Sequence, residues 1–254
     1  MRLLIINPNT TVTITSLLRA YAQQVAGPDV QIDAVTARFG APYIACEATY
    51  AVAGHAVLDA WACALAAGST PPDAVLIGCF GDPGLLALRE SSQSSVTGLA
   101  EAAFLEAARY GPFAIVTGGQ RWKPMLERLA HQLGYGHLLQ GIHTVAPTGA
   151  QLAQDPVVAR SLLASACKEA ARHFKVNAVI LGGAGLAGMA AAVEAAIEAD
   201  VAVPVIDSVL AGVRQALLQI KHKSGLETVS PNRFDACWQG VSAEMARLGL
   251  PAGG

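Results

Sequence analysis

Short apolar blocks, each ended by a turn, alternate along the chain with longer stretches that carry apolar residues at helical spacing. Leu3 to Ile6 reads as a buried strand that stops at Asn7-Pro-Asn-Thr-Thr11. Pro8 cannot donate to a sheet ladder, and the Asn and Thr side chains suit the cap of a helix running to about Ala26. Gly27-Pro28 ends that helix, and Val30 to Thr36 is a second strand. A loop from Arg38 to Tyr43 follows, then a long alanine-rich helix from about Glu47 to Ala67, before Pro71-Pro72 resets the chain. A third strand begins at Asp73 and runs into Gly78-Cys-Phe-Gly-Asp-Pro-Gly84. A helical segment near Leu85 to Glu90 and a short strand near Ser95 to Leu99 close this half.

The second half repeats the first. Phe113 to Thr117 matches the first strand, and Gly118-Gly119 leads into a helix through about Leu133. Gly141 to Val145 echoes Val30 to Val35, with Ile142 and Val145 on Ile32 and Val35 at an offset of 110. A helix from about Pro156 to His173 precedes Asn177-Ala-Val-Ile-Leu-Gly-Gly183-Ala-Gly-Leu-Ala-Gly188. Aligned 104 positions back, Gly182, Gly185 and Gly188 fall on Gly78, Gly81 and Gly84, while Gly183 falls on Cys79. A helix from Ala187 to Ala199, a strand from Val203 to Asp207 and two closing helices complete the pattern. Strands alternating with helices predict an α/β fold with parallel sheets covered on both faces, and the repeat predicts two pseudo-symmetric lobes. Binding sites in such sheets lie beyond the carboxyl ends of the strands, where all these turns sit.

Composition narrows the function classes. The 254 residues are 53% hydrophobic and 14% charged. No run reaches the ~18 to 20 apolar residues of a membrane helix, and the apolar start is too short for a signal peptide. Net charge is −2, with no basic cluster beyond Lys221-His-Lys223, so neither nucleic acid nor an anionic membrane is expected as a partner. Five scattered cysteines without a C-x-x-C or a clustered His/Cys set indicate neither a disulfide framework nor a structural zinc, and fit a reducing cytoplasm. The histidines form no Ser/His/Asp grouping, and Pro251-Ala-Gly-Gly254 reads as a loose tail.

Chemistry is left to the turns. Cys79 follows a buried strand at a turn opening a helix, where backbone N–H groups and the helix end favour a thiolate. The competing reading is a small buried hydrophobe. Gly183-Ala-Gly185-Leu-Ala-Gly188, with Asp207 at the end of the next strand, also satisfies a dinucleotide-binding pattern, so a nicotinamide oxidoreductase is an alternative. Asn7 and Thr117 occupy equivalent turns, where they either hold a substrate oxygen or only cap helices.

The chain as a whole resembles the aspartate/glutamate racemase superfamily, and within it the hydantoin and allantoin racemases. The resemblance rests on Asn7-Pro-Asn-Thr, Gly78-Cys-Phe-Gly-Asp-Pro-Gly84, Phe113-Ala-Ile-Val-Thr117, Ile180-Leu-Gly-Gly-Ala-Gly-Leu-Ala-Gly188 and Val203-Pro-Val-Ile-Asp207. It implies two Rossmann-like lobes with the active site between them, no cofactor or metal, a small-molecule substrate and a homo-oligomer. The lobes are expected at 1–97 plus 208–254 and at 98–207. The resemblance implies two thiols on opposite faces of a carbon beside a carbonyl, one removing its proton and the other returning one. The first maps onto Cys79. The second belongs to a Gly-Cys-Ala-Gly motif whose cysteine position is Gly183 here. Substrate oxygens fall to Asn7, Thr117, Gly118 and the backbones at Phe80, Gly183 and Ala184. With Gly183 in place, the second proton is left to Cys46 or a water. A single-thiol decarboxylase of the arylmalonate type, a nucleophilic Cys79 as in maleate isomerases, and a non-catalytic binding protein are the other readings.

Overall fold

The computed structural model describes residues 1–68, 70–146, 151, 155–222, 234 and 236–249. The expected tail at Pro251–Gly254 lies outside the described residues. One sheet contains β1 (Arg2–Asn7), β2 (Gln31–Thr36), β3 (Ala74–Ile77) and β4 (Ser95–Gly98) in the order β2-β1-β3-β4. The other contains β5 (Phe113–Gly118), β6 (Leu139–Val145), β7 (Ala178–Gly182) and β8 (Val205–Asp207) in the order β6-β5-β7-β8. Every pairing is parallel, so the second sheet repeats the first strand for strand.

Successive side chains of a strand point to opposite faces, so each strand feeds two cores. Leu3, Ile5 and Leu76 of the first sheet share a central cluster with Phe113, Ile115 and Ile180 of the second. Leu4, Ile6, Val75 and Ile77 face outward and pack with Trp61 of α2 (Glu47–Ala67) and Leu85 and Leu88 of α3 (Leu85–Ser91). In the second sheet, Ala114, Val116, Val179 and Leu181 face outward onto α6 (Pro156–Phe174) and α7 (Ala190–Ile197). Between the sheets lie α1 (Val12–Ala26), α4 (Leu99–Ala107) and α8 (Ser208–His222); α5 (Trp122–Gln132) and the short α9 (Ala243–Leu248) complete the described helices. The last two central helices cross over: α4 leaves β4 yet lies against β7 and β8, and α8 leaves β8 yet lies against β3 and β4.

Three expectations are corrected. No helix is expected between Leu99 and Phe113, yet α4 forms there: Leu99, Ala100, Ala102, Ala103, Phe104 and Ala107 are all buried and leave no amphipathic stripe. The helix expected from Ala187 starts at Ala190, because a 3₁₀ turn at Ala184–Leu186 and a positive φ of 79° at Gly188 intervene. Finally, α2 is long and apolar enough to cross a membrane by length and composition. In this fold it is a core helix, burying Val57, Asp59 and Trp61.

Candidate active site

Beyond the carboxyl ends of β1, β3, β5 and β7 the turns enclose a cavity of about 80 Å³. A single water needs ~10–15 Å³, so the space holds several waters or one small ring. The first sheet contributes Asn9, Thr11, Cys79 and Phe80, the second Thr117, Gly118, Gly183 and Ala184; Tyr43 and Trp122 close the rim. In each sheet the connections diverge between its two central strands, and crevices form at that point in doubly wound sheets.

Cys79 sits two residues beyond β3 and is only 8% exposed. Burial, and after it the neighbouring Asp82 carboxylate, push its thiol well above the ordinary range. This reverses the expectation of a favoured thiolate. The helix that was to supply positive potential does not begin until Leu85, so its end is several residues away. The turn between is held from outside. Tyr50 Oη donates to Gly81 O at 2.8 Å, and Trp122 fills the space over Gly81, where a Cβ would collide with the indole.

Asp82 anchors the same turn. It is 2% exposed, adopts φ 50°, and accepts hydrogen bonds from Ala100 N (2.9 Å) and Glu101 N (2.7 Å), thereby capping α4. A Cβ on Gly98 would collide with its carboxyl group. The strand registers pair Ile77 with Gly98 and Leu181 with Asp207, making Gly98 and Asp207 equivalent. Asp207 accepts from Val209 N (2.9 Å) and Leu210 N (3.0 Å), capping α8, and from Gly188 N (2.7 Å). A carboxylate thus ties turn to helix in both lobes, but it is carried by the turn in one and by the strand in the other.

This use of Asp207 removes the dinucleotide reading. Its carboxylate oxygens are committed to backbone N–H groups and Tyr21, leaving none aimed at a ribose. Nor does a helix start at the last glycine to receive a pyrophosphate, since α7 begins at Ala190.

The proposed oxygen holders divide. Asn7 is corrected: it is fully buried beneath the cavity, and its amide donates to Asn9 Oδ1, Thr11 O and Thr15 Oγ1. It organises the turn, and Asn9 faces the cavity instead. Asn9 Oδ1 is occupied by Asn7 and by Thr11 N, and its Nδ2 makes no hydrogen bond among the described residues. Thr117 lines the cavity, but its hydroxyl donates to Gly182 O at 2.8 Å. The Gly183 N–H is likewise taken, donating to Ser208 Oγ at 3.2 Å. The N–H groups of Phe80 and Ala184 have no partner among the described residues and remain as donors. The Phe80 ring crosses to the second lobe, packing on Gly182 and edge-on to Phe104 at 6.2 Å.

Gly183 carries φ 151°, a conformation that disfavours side chains, although a Cβ there would meet only Leu186 at 3.4 Å. Cys46 is not among the cavity-lining residues; it caps α2, with its N–H donating to Thr49 Oγ1 at 3.1 Å. A bond from the Thr49 backbone N–H draws its thiol downward. The charged neighbours in Arg121-Trp-Lys123 suggest a solvated face, yet Trp122 is buried at the cavity, and neither Tyr43 nor Thr11 is expected as a site residue. The available signal was position: Tyr43 follows Phe-Gly-Ala-Pro in the loop beyond the carboxyl end of β2, and Thr11 belongs to the quoted first turn. Among the described residues no group of three His, Cys, Asp or Glu side chains is placed to hold a metal.

Two matched α/β lobes thus close on a cavity lined by one thiol among the described residues. A family model described as Asp/Glu/Hydantoin racemase matches residues 3–216, and the chain belongs to this family of isomerases. It is 33% identical over 217 residues to the hydantoin racemase of Pseudomonas sp. (strain NS671), covering 85% of this chain and 84% of that one. The solved allantoin racemase from Klebsiella pneumoniae superposes with a TM-score of 0.82 at 30% identity, over 98% of this chain and 99% of that one. The allantoin racemase from Pseudomonas fluorescens gives 0.80 at 28% identity, over 91% and 97%.

Proposed function

We propose that this chain is a cofactor-independent racemase acting at the carbon next to a carbonyl in a hydantoin-like ring, with Cys79 as a proton-transferring thiol. The observation that carries this is the placement of Cys79 at the end of β3, lining a small cavity between the lobes of a racemase-family chain. The chemistry needs a base at the acidic C–H and donors at the enolate oxygen. Asn9 Nδ2 and the Phe80 and Ala184 N–H groups are the donors available. Among the described residues the lining holds amide, hydroxyl and aromatic groups but no cationic side chain, which suits a neutral ring better than a dicarboxylate.

The test is proton exchange and loss of optical rotation with 5-substituted hydantoins in heavy water. Wild type is expected to exchange the ring C–H and racemise, and Cys79→Ser to lose ~10²–10⁴-fold of racemisation and of exchange into the antipode whose proton the thiol removes. Absence of exchange in wild type, or equal exchange in Cys79→Ser, rejects the reading. With Cys79 the one thiol among the described lining residues, a rival reading is a single-thiol decarboxylase, although the cysteine of the arylmalonate type falls at the position of Gly183; it predicts carbon dioxide release from substituted malonates.

A further inference from the structure

Resting on that racemase reading, we infer that Tyr43 is the second proton-transfer group of the site, acting on the substrate face opposite Cys79 with Trp122 supporting its oxygen. Racemisation between two faces needs an ionisable X–H group on each, and Gly183 offers none. Among the described residues that line the cavity, only Cys79 and Tyr43 carry an ionisable proton. The hydroxyls of Thr11 and Thr117 are already donated to Pro42 O and Gly182 O, both at 2.8 Å.

Position agrees with this role. Tyr43 belongs to the loop between β2 and α2 of the first lobe, but its hydroxyl reaches across to Gly118 O at the end of β5, at 3.4 Å. That is long for an O–H···O bond, so the proton is weakly held and can turn to a bound ring. In the register of the second sheet Thr117 pairs with Gly182, the residue before Gly183. The phenol therefore stands on the wall where the missing thiol would be, while Cys79 stands at the end of β3 in the first sheet. The Trp122 indole lies beside the same phenol over Gly119, and its N–H, which can only donate, draws the phenol's proton affinity down. It is placed to stabilise a phenolate once the proton has gone. Burial first, and then the charge of an ionised Cys79, raise the phenol's affinity for its proton, so the two groups sense one another.

The cycle balances without a co-reactant. Cys79, once ionised to what is the minor form of this buried thiol, takes the proton from the ring carbon, and the C–H electron pair moves into the adjacent carbonyl to give an enolate and a thiol. The Tyr43 O–H then breaks, its proton forming the new C–H bond on the far face as the enolate pair returns, and a phenolate remains. The antipode runs the same steps in reverse, with phenolate as base and thiol as acid, and the two enzyme forms interconvert by proton exchange with water.

The experiment follows each antipode of a 5-substituted hydantoin in heavy water by NMR and chiral chromatography, in wild type, Cys79→Ser and Tyr43→Phe. Tyr43→Phe should racemise ~10²–10⁴-fold more slowly than wild type while still washing deuterium into one antipode with its configuration kept. That split certifies the fold and is not produced by a merely structural loss. Racemisation by Tyr43→Phe at the wild-type rate overturns the assignment and leaves the racemase reading standing. So does equal loss of exchange and inversion, which would make Tyr43 a structural residue. A wild type that exchanges nothing removes both.

Discussion

The two lobes place a carboxylate at the same point by different routes, so the arrangement of one can be moved into the other. In the second lobe Asp207 ends β8 and caps the helix after it; in the first the equivalent Gly98 is bare and Asp82 reaches in from the Cys79 turn. Asp82→Gly keeps the φ of 50° accessible but strips Ala100 N and Glu101 N of their acceptor. Each buried N–H left unpaired costs ~1–3 kcal/mol, so the single variant should lose about 2–6 kcal/mol. Gly98→Asp alone puts a Cβ into the Asp82 carboxyl group and sets two carboxylates together, costing at least about 2 kcal/mol. Gly98 has extended backbone (φ −125°, ψ 173°), as an N-cap requires, so the double variant restores an acceptor at the right place. It should fall within about 1.5 kcal/mol of wild type, a coupling of at least about 2.5 kcal/mol between the two sites. Urea midpoints of the four proteins measure this. A double variant no more stable than the worse single one would refute the equivalence of the two carboxylates.

Two further outcomes follow from the same turns. Burial raises the Asp82 carboxyl to about 7 against the pull of its two N–H bonds, so the folded state holds that proton better than the unfolded chain does. The stability this group lends is complete below pH ~4 and lost as pH rises to ~7, so wild type should weaken relative to Asp82→Asn by up to about 4 kcal/mol across that window; urea unfolding at both ends measures it, and a relative gain instead would mean that the N-terminus of α4 stabilises the anion. Gly183→Ala adds a Cβ with room to stand but at φ 151°, so a loss of about 1–3 kcal/mol is expected from the backbone alone. An unchanged melting profile for Gly183→Ala would show that the turn relaxes freely to extended backbone.

Legibility in the sequence tracked how local each determinant was. The parallel strands could be read because both faces of β3, β5 and β7 are buried, giving unbroken apolar runs between turns. The paired turns could be read because their glycines answer to local backbone demands: Gly84 and Gly188 take φ 77° and 79° at the same point of the two lobes. Cys79 could be found for the same reason. What depended on packing between distant segments could not. In α4 burial on every side erased the helical stripe. Asn7 and Asn9 are two residues apart in one turn, and only the fold shows which faces the cavity. The raised thiol of Cys79 and the doubly bonded Asp82 arise from burial by segments remote in the chain.

The repeat therefore preserved a geometry more faithfully than a set of side chains. Equivalent strand ends, turns and helix caps recur, yet the carboxylate that serves both lobes changed residue, and the group expected at Gly183 has no side chain at all. A site between two such lobes can replace a function from any segment that reaches the cavity, because what the chemistry requires is a proton donor at the right face and not a particular strand end. The loop after β2 is one segment that reaches from one lobe to the other, anchored by Thr10 N to Ala41 O at 3.2 Å and by Thr11 Oγ1 to Pro42 O at 2.8 Å. Those bonds fix the loop immediately before Tyr43, so its phenol is aimed by backbone that the first lobe already holds in place. A proton donor delivered this way keeps the distance to Cys79 set by the fold even though it comes from outside the repeat.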